Sequence, residues 1–248
     1  MIVEKLKSGG RLIYFGAGTS GRLGILDASE CTPTFGVDRS LVTAYIAGGK
    51  NAVFEAVEGA EDQPKLGEED VITAKIGSND IVCGITASGR TPYVIGALSK
   101  AKELGAGTIA VINNTIDNAK ELAALCNVTI AAITGPEALT GSTRMKAGSA
   151  QKMILNLLTT ASMVKLGKVY ENLMIDVTPT NDKLQARAIS MIVMLCTVPE
   201  DIAQSALEAS GNRVKTAIVM IKKNLSHLQS EKLLIQYSGS LRKALEEI

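Results

Sequence analysis

The sequence predicts an α/β fold, a parallel sheet covered by helices on both faces, followed by a small helical module. Three observations support this prediction. Short apolar runs alternate with helix-like segments through the first half of the 248-residue chain. Hydrophobic residues make up 46% of the sequence, which is enough to bury a substantial core. After residue 133 the strand-like runs stop and the pattern becomes helical.

The first half contains apolar runs that are typical of buried strands, because glycine or polar residues bound them. They are Leu12–Phe15, Leu41–Ala47, Asn79–Ile85, Thr108–Ile112 and Val128–Ala132. Helix-like segments separate these runs, which predicts right-handed crossovers and a parallel sheet. Those segments are Gly21–Thr32, Ala52–Val57, Asp70–Lys75, Pro92–Leu104 and Asp117–Leu125.

The second half is predicted to be helical. Residues 143–167 form one long helical stretch, and Asp182–Cys196 forms another. Pro199 then marks a change of unit, after which we expect three or four short amphipathic helices with breaks at Gly211 and Gly239. The predicted domains are therefore residues 1–198 and residues 199–248.

Composition excludes several classes of function. The net charge is only +1, and aromatic residues make up 3% of the chain with no Trp, so nucleic-acid binding is not expected. The four cysteines lack metal-ligand spacing, and His227 is the single histidine, which disfavours a metal site or a Ser-His-Asp triad. Without a long apolar run or a signal peptide, we expect a cytoplasmic protein that does not enter a membrane.

Two glycine-rich loops follow predicted strands and open predicted helices. They read "GAGTSGR" (residues 16–22) and "TASGRTP" (residues 86–92). Glycine permits close backbone approach, hydroxyls donate hydrogen bonds, and a helix N-terminus favours an anion. The predicted phosphate-binding residues in these loops are Gly18, Thr19, Ser20, Ser88, Gly89 and Thr91. Ordinary helix caps are the alternative interpretation of each loop.

The first loop also matches G-x-G-x-x-G, the fingerprint of dinucleotide-binding proteins. Such a site needs an acidic residue at the end of the second strand to bind the ribose hydroxyls. That strand ends in "YIAGGK", and Asp38 precedes it. A phosphate monoester therefore fits the loop better than a dinucleotide.

Carboxylates are the candidates for acid–base chemistry, because no histidine is suitably placed. Asp27 and Glu30 share a face of the helix that the first loop opens, and "AVEGAED" places Glu58, Glu61 and Asp62 beyond the second strand. Glu30 and Glu61 are the predicted catalytic pair. Solvated surface charge is the alternative for both groups.

The segment "GPEALTGSTRMKAG" (residues 135–148) precedes the long helix. Ser142 or Thr143 is expected to cap that helix, and Arg144 and Lys146 carry charge suited to an anion. Substrate binding by Ser142 and simple capping of a dimer-facing helix remain open alternatives.

Several long segments together resemble one family of sugar-phosphate enzymes. They read "GGRLIYFGAGTSGRLGILDASECTPTFG", "AVEGAED", "ASGRTPYVIGAL", "TGSTRMKAGSAQKMILN" and "GKVYENLMIDVTPTNDKL". They resemble the N-acetylmuramic acid 6-phosphate etherases of the sugar isomerase (SIS) domain superfamily, over essentially the whole chain.

The resemblance implies a fold, an activity and partners. The fold is a three-layer SIS sandwich around a five-stranded parallel sheet, with a C-terminal module like the ubiquitin-associated domain. The implied enzyme is a homodimeric lyase of cell-wall recycling. It cleaves the lactyl ether of N-acetylmuramic acid 6-phosphate to N-acetylglucosamine 6-phosphate and D-lactate without a metal or organic cofactor. The family usually carries a further helical segment before "SGGRLIY", which this chain is expected to lack.

The resemblance also implies residue roles. The two active-site glutamates fall on Glu30 in "DASE", the proton donor, and on Glu61 in "EGAED". Ser20, Ser88 and Thr91 hold the 6-phosphate. Two alternatives remain: a non-catalytic sugar-phosphate sensor like the glucokinase regulatory protein, and an aldose–ketose isomerase on the same fold.

Overall fold

The computed structural model describes residues 1–177, 179 and 181–246. The chain forms two compact units. The first comprises Met1–Glu30 and Asp38–Thr159, and the second comprises Cys31–Val37 and the chain from Thr160 onward. The predicted division between residues 198 and 199 lies inside the second unit, so as a domain boundary it stays a prediction.

A parallel sheet of five strands forms the centre of the first unit, as predicted. The strands are β1 (Leu12–Gly16), β2 (Val42–Ile46), β3 (Ile81–Thr86), β4 (Gly107–Ile112) and β5 (Val128–Ala131). Their spatial order is β2-β1-β3-β4-β5, and each neighbouring pair is parallel. Because β2 lies on one side of β1 and β3 on the other, the order reverses between β1 and β3. The carboxyl ends of these two strands are where an open α/β sheet binds ligands.

The helices of the chain follow the predicted pattern with shifted ends. They are α1 (Ile2–Lys7), α2 (Gly18–Phe35), α3 (Pro64–Thr73), α4 (Pro92–Glu103), α5 (Lys120–Leu125), α6 (Lys146–Lys165), α7 (Asp182–Cys196), α8 (Glu200–Ala209), α9 (Val214–Lys223), α10 (His227–Gln236) and α11 (Leu241–Glu246). One predicted helix was wrong, and one helix was missed. The predicted helix Ala52–Val57 is instead a short 3₁₀ helix over Lys50–Val53, and α1 was not predicted.

Two glycines allow α3 and α4 to pack closely. A Cβ at Gly67 would stand 2.1 Å from the Tyr93 carbonyl oxygen, and one at Gly96 would stand 2.1 Å from the Pro64 carbonyl oxygen. No side chain fits at such distances, so the two helices touch through backbone. This contact fixes the first turn of α4, which carries part of the candidate site.

Polar contacts join the starts of β1 and β3. Asp80, which precedes β3, accepts hydrogen bonds from Arg11 at its backbone N (2.9 Å), Nε (3.1 Å) and Nη2 (2.6 Å). The backbone N–H of Gly77 donates to the same carboxylate at 3.0 Å. Burial alone would raise the pKa of Asp80, but Arg11 and these N–H groups outweigh it and lower the pKa.

The second unit has its own hydrophobic core and the predicted short helices. Within the described residues, α8 to α11 follow Pro199, with glycines in left-handed conformation at Gly211 and Gly239 between them. Lys215 on α9 is buried, and its ammonium donates to the Gly167 and Gly239 carbonyls and to Asp176.

Candidate functional site

A cavity of about 490 Å³ opens at the carboxyl ends of β1 and β3. Its lining residues are Ala17, Gly18, Thr19, Ser20, Glu61, Asp62, Ile85, Thr86, Ala87, Ser88, Arg90, Thr91, Pro92 and Thr143. Its size is typical of a small-molecule site. The structure therefore brings both glycine-rich loops and the "EGAED" segment to one place.

The first loop is shorter than the sequence indicated. Helix α2 begins at Gly18, so Thr19 and Ser20 lie in its first turn rather than before it. A Cβ at Gly21 would stand 2.6 Å from the Ile46 side chain, and glycine therefore lets α2 pack against β2. The loop's backbone and its two hydroxyls thus lie against the cavity.

Ser20 is buried and belongs to a chain of polar side chains. Its hydroxyl donates to Gln151 Oε1 at 2.9 Å, and Gln151 Nε2 donates to Asn113 Oδ1 at 2.8 Å. Gln151 comes from α6, so this chain ties α6 to the first loop. Sequence reasoning missed Gln151, although a glutamine on the apolar side of a long helix is a usable signal.

The second loop is organised by its own hydroxyls. Thr86 and Thr91 share a hydrogen bond of 2.8 Å, and the N–H of Arg90 donates to Ser88 Oγ at 3.1 Å. Gly89 has φ +74°, and a Cβ there would stand 2.4 Å from the Ala119 side chain. Gly89 therefore shapes the loop without lining the cavity.

Glu61 is fixed beside the second loop by its backbone. Its carbonyl accepts from the N–H of Tyr93, in the first turn of α4, at 3.0 Å. Glu61 and Asp62 line the same cavity as Arg90. The site thus contains carboxylates, one guanidinium and several hydroxyls, a set suited to acid–base chemistry on a phosphorylated ligand.

Glu30 does not join this cavity within one chain. It is exposed and lies twelve residues after Gly18 in the same helix, a distance of about 18 Å along the axis. Asp27, three residues earlier, is buried and accepts hydrogen bonds from Tyr14, Asn156 and Thr159. The shared helix face predicted for Asp27 and Glu30 thus runs from a buried network to solvent.

Ser142 also lies outside the cavity lining, whereas its neighbour Thr143 is part of it. Neither residue caps α6. The Glu137 carboxylate does so, accepting from the N–H groups of Lys146 (3.0 Å) and Ala147 (2.9 Å). These two N–H groups lower the pKa of Glu137.

A second, larger cavity of about 580 Å³ lies in the second unit. Its charges are already paired, because Asp176 binds both Lys168 (3.0 Å) and Lys215 (2.9 Å), and Arg213 binds Glu231 at 2.8 Å. The cavity of the first unit, whose two loops carry the predicted phosphate-binding residues, is therefore the candidate functional site.

Neither a metal-binding cluster nor a membrane-spanning helix is present among the described residues. No three side chains of His, Cys, Asp or Glu come together as a metal ion would require. In the same part of the chain, no helix combines the length and apolar character needed to cross a membrane.

Comparison with known proteins shows close sequence relatives. The chain is 52% identical, over all 248 residues and 81% of the relative's length, to an N-acetylmuramic acid 6-phosphate etherase of Clostridioides difficile. It is 52% identical over 246 residues to N-acetylmuramic acid 6-phosphate etherase 2 of Vibrio cholerae, covering 99% of this chain and 79% of the relative.

Two further comparisons concern domain and fold. Residues 1–102 match the sequence profile of the glucokinase regulatory protein N-terminal SIS domain. The fold is similar to that of a phosphoheptose isomerase from Francisella tularensis, with a TM-score of 0.51 and 20% identity over 66% of this chain and 81% of that one. The second likeness supports the predicted SIS-type sandwich.

Proposed function

The chain belongs to the N-acetylmuramic acid 6-phosphate etherase family, and we propose that its reaction takes place in the cavity that follows β1 and β3. The protein is a lyase that cleaves the lactyl ether of N-acetylmuramic acid 6-phosphate. The observation that carries this conclusion is 52% identity over the whole chain to a curated etherase. The products are N-acetylglucosamine 6-phosphate and D-lactate.

The proposed chemistry is elimination followed by addition of water. In the open-chain sugar, the ether oxygen on carbon 3 is β to the aldehyde. A base removes the proton from carbon 2, the C–H electron pair forms the carbon 2–carbon 3 double bond, and the carbon 3–oxygen bond breaks as an acid protonates the departing lactate oxygen. Water then adds across the double bond. Two carboxylates of different proton affinity suffice, and no cofactor is needed.

Glu61 is the proposed carboxylate of the cavity, because its backbone is fixed at α4 and its side chain lines the site. The 6-phosphate is assigned to the second loop, at Ser88 and Thr91 with Arg90 beside them. Thr19 and the backbone at Gly18 complete the cradle from the first loop, and Ser20 joins them when its hydroxyl turns from Gln151 to the phosphate. Phosphate held this way contributes binding energy at a distance from the reacting carbons, and that energy positions them.

Glu30 keeps its proposed role as proton donor through a second copy of the chain. It is exposed and distant from the cavity of its own chain. Nearby, Leu26 on α2 and Met153 and Leu157 on α6 are exposed apolar side chains, at 48%, 63% and 66% exposure. We propose that these residues pack in a homodimer that brings Glu30 of one subunit to the cavity of the other.

Mixing inactive variants tests this assignment. Glu30→Gln and Glu61→Gln should each abolish D-lactate release while leaving the melting temperature unchanged. If the pair spans two subunits, a co-refolded equal mixture contains heterodimers with one intact site, and about a quarter of wild-type activity returns. No recovery in verified heterodimers would place both residues in one subunit or refute the pair.

The reaction itself is tested by giving the purified protein N-acetylmuramic acid 6-phosphate and measuring D-lactate. Release of D-lactate is expected. Binding of the sugar phosphate without release would instead indicate a sensor of the glucokinase-regulatory type, whose profile matches only residues 1–102. We place the reaction in the cytoplasm, as part of murein recycling.

A further inference from the structure

A small second cavity adjoins the candidate site, and we propose that it receives the acetamido group of the sugar. This inference rests on the proposed function. The cavity measures about 180 Å³. Its lining residues are Ala17, Gly18, Arg22, Ala47, Ala52, Glu55, Ala56, Val57, Glu58, Gly59, Ala60 and Glu61.

The two cavities share a wall. Ala17, Gly18 and Glu61 line both of them. Glu61 therefore stands at the junction, with the phosphate-binding loop on one side and the small cavity on the other. A substituent on the carbon from which Glu61 removes a proton can enter the small cavity directly.

Hydrogen bonds and packing hold the small cavity open. Arg22 donates from Nε to the Val53 carbonyl at 2.8 Å and from Nη2 to the Glu55 carbonyl at 3.1 Å. Val57 covers Gly48, where an added Cβ would stand 2.9 Å from the valine side chain. Preformed walls of this kind favour a ligand group of defined size, because binding need not order the loop.

The residues that line the small cavity favour the acetamido group on carbon 2 over the lactyl group on carbon 3. Small side chains or none, at five alanines and two glycines, leave room for a methyl group. Three acidic residues, Glu55, Glu58 and Glu61, line the cavity together with one basic residue, Arg22. This excess of negative charge opposes the lactyl carboxylate. A neutral amide, in contrast, can donate its N–H to a carboxylate and accept from an Arg22 N–H group that does not already donate to the Val53 or Glu55 carbonyl.

The reaction places the acetamido group at this point. The carbon that loses its proton to the base is carbon 2, and carbon 2 carries the acetamido nitrogen. When Glu61 faces carbon 2 from the junction, the group on that carbon lies next to the small cavity. Arg22, at the end of the first glycine-rich loop, is then a positioning residue for the substrate.

The test compares ligands with and without the acetamido group. Ala56 is exposed at the cavity wall, so Ala56→Leu narrows the cavity without disturbing the core. By titration calorimetry we expect Ala56→Leu to weaken N-acetylglucosamine 6-phosphate at least about tenfold and glucose 6-phosphate less than about twofold. Ala124→Leu, the same change at another exposed alanine, on α5, is the matched control and should alter neither affinity.

Equal weakening of both ligands by Ala56→Leu, or no weakening of either, would overturn the proposal. A ligand series on the wild-type protein gives a second measurement. Affinity should fall as the N-acyl chain of glucosamine 6-phosphate lengthens from acetyl to butyryl, and a flat series would contradict a closed subsite. D-lactate release by the wild type is scored separately, so selective acetamido binding without lactate would refute the proposed function alone.

Discussion

Replacing Asp80 with asparagine should destabilise the first unit. The Asp80 carboxylate is buried and receives three hydrogen bonds from Arg11 and one from Gly77. Asparagine removes the charge and turns an amide N–H₂ toward these donors. Charged hydrogen bonds contribute about 1.5–3 kcal/mol each but are not additive. The Arg11 side chain is 30% exposed and regains some water, so the net loss should be about 2–4 kcal/mol.

The assay is thermal unfolding followed by circular dichroism over a range of pH. For a chain of this size, that loss lowers the melting temperature by about 5–15 °C at neutral pH. Because the pKa of Asp80 is lowered by folding, its stabilisation is complete above the unfolded pKa of about 3.9 and is lost as the pH falls below it. The difference in melting temperature between wild type and Asp80→Asn should therefore disappear at acidic pH.

Equal melting temperatures of the two proteins at neutral pH would contradict this expectation. A difference in melting temperature that persists unchanged in acid would contradict it as well. Asp117→Asn is the control. Asp117 lies 3.5 Å from Lys120, and their side chains are 88% and 76% exposed. Such a pair contributes little, and its loss should leave the melting temperature unchanged.

Three further outcomes are expected. Gly89→Ala should weaken binding of inorganic phosphate by at least about tenfold, because φ +74° and the contact at Ala119 exclude a side chain; unchanged affinity would contradict the role of this loop. Cys83, buried and with its thiol pKa raised by burial, should resist iodoacetamide in the folded protein and react only after unfolding. Tyr93→Phe should cost about 1–3 kcal/mol in urea unfolding, since it leaves the Asp70 carboxylate without the 2.6 Å hydrogen bond it accepts.

The strands of the sheet could be predicted because each is a short apolar run between polar or glycine residues. Their order could not, since it depends on which side of β1 each crossover places the next strand. The helix ends were less certain. Gly18 begins α2, where periodicity alone placed the start at Gly21, and Pro64 opens α3 before its apolar pattern becomes visible.

The site residues that come directly after the ends of strands could be predicted from the sequence. Thr19, Ser88 and Glu61 line one cavity because they follow neighbouring strands. Asp27 and Glu30 show the limit of this reasoning. Their spacing places them on one helix face, but the spacing does not show that Asp27 is the buried one. Its partners Tyr14, Asn156 and Thr159 lie outside its helix, and two of them are far along the chain.

The hydrogen bond between the Tyr93 N–H and the Glu61 carbonyl has a consequence for ligand length. It joins the first turn of α4, which follows the proposed phosphate-binding loop, to the backbone of Glu61 through one contact of 3.0 Å. The distance from the proposed phosphate site of the second loop to the Glu61 backbone is therefore set by the fold, and only the Glu61 side chain can change its reach. A ligand bound through its phosphate places next to Glu61 whichever of its carbons lies at that distance from the phosphorus. With the phosphate in the proposed site, a pentose 5-phosphate is expected to bring a different carbon to Glu61 than a hexose 6-phosphate does.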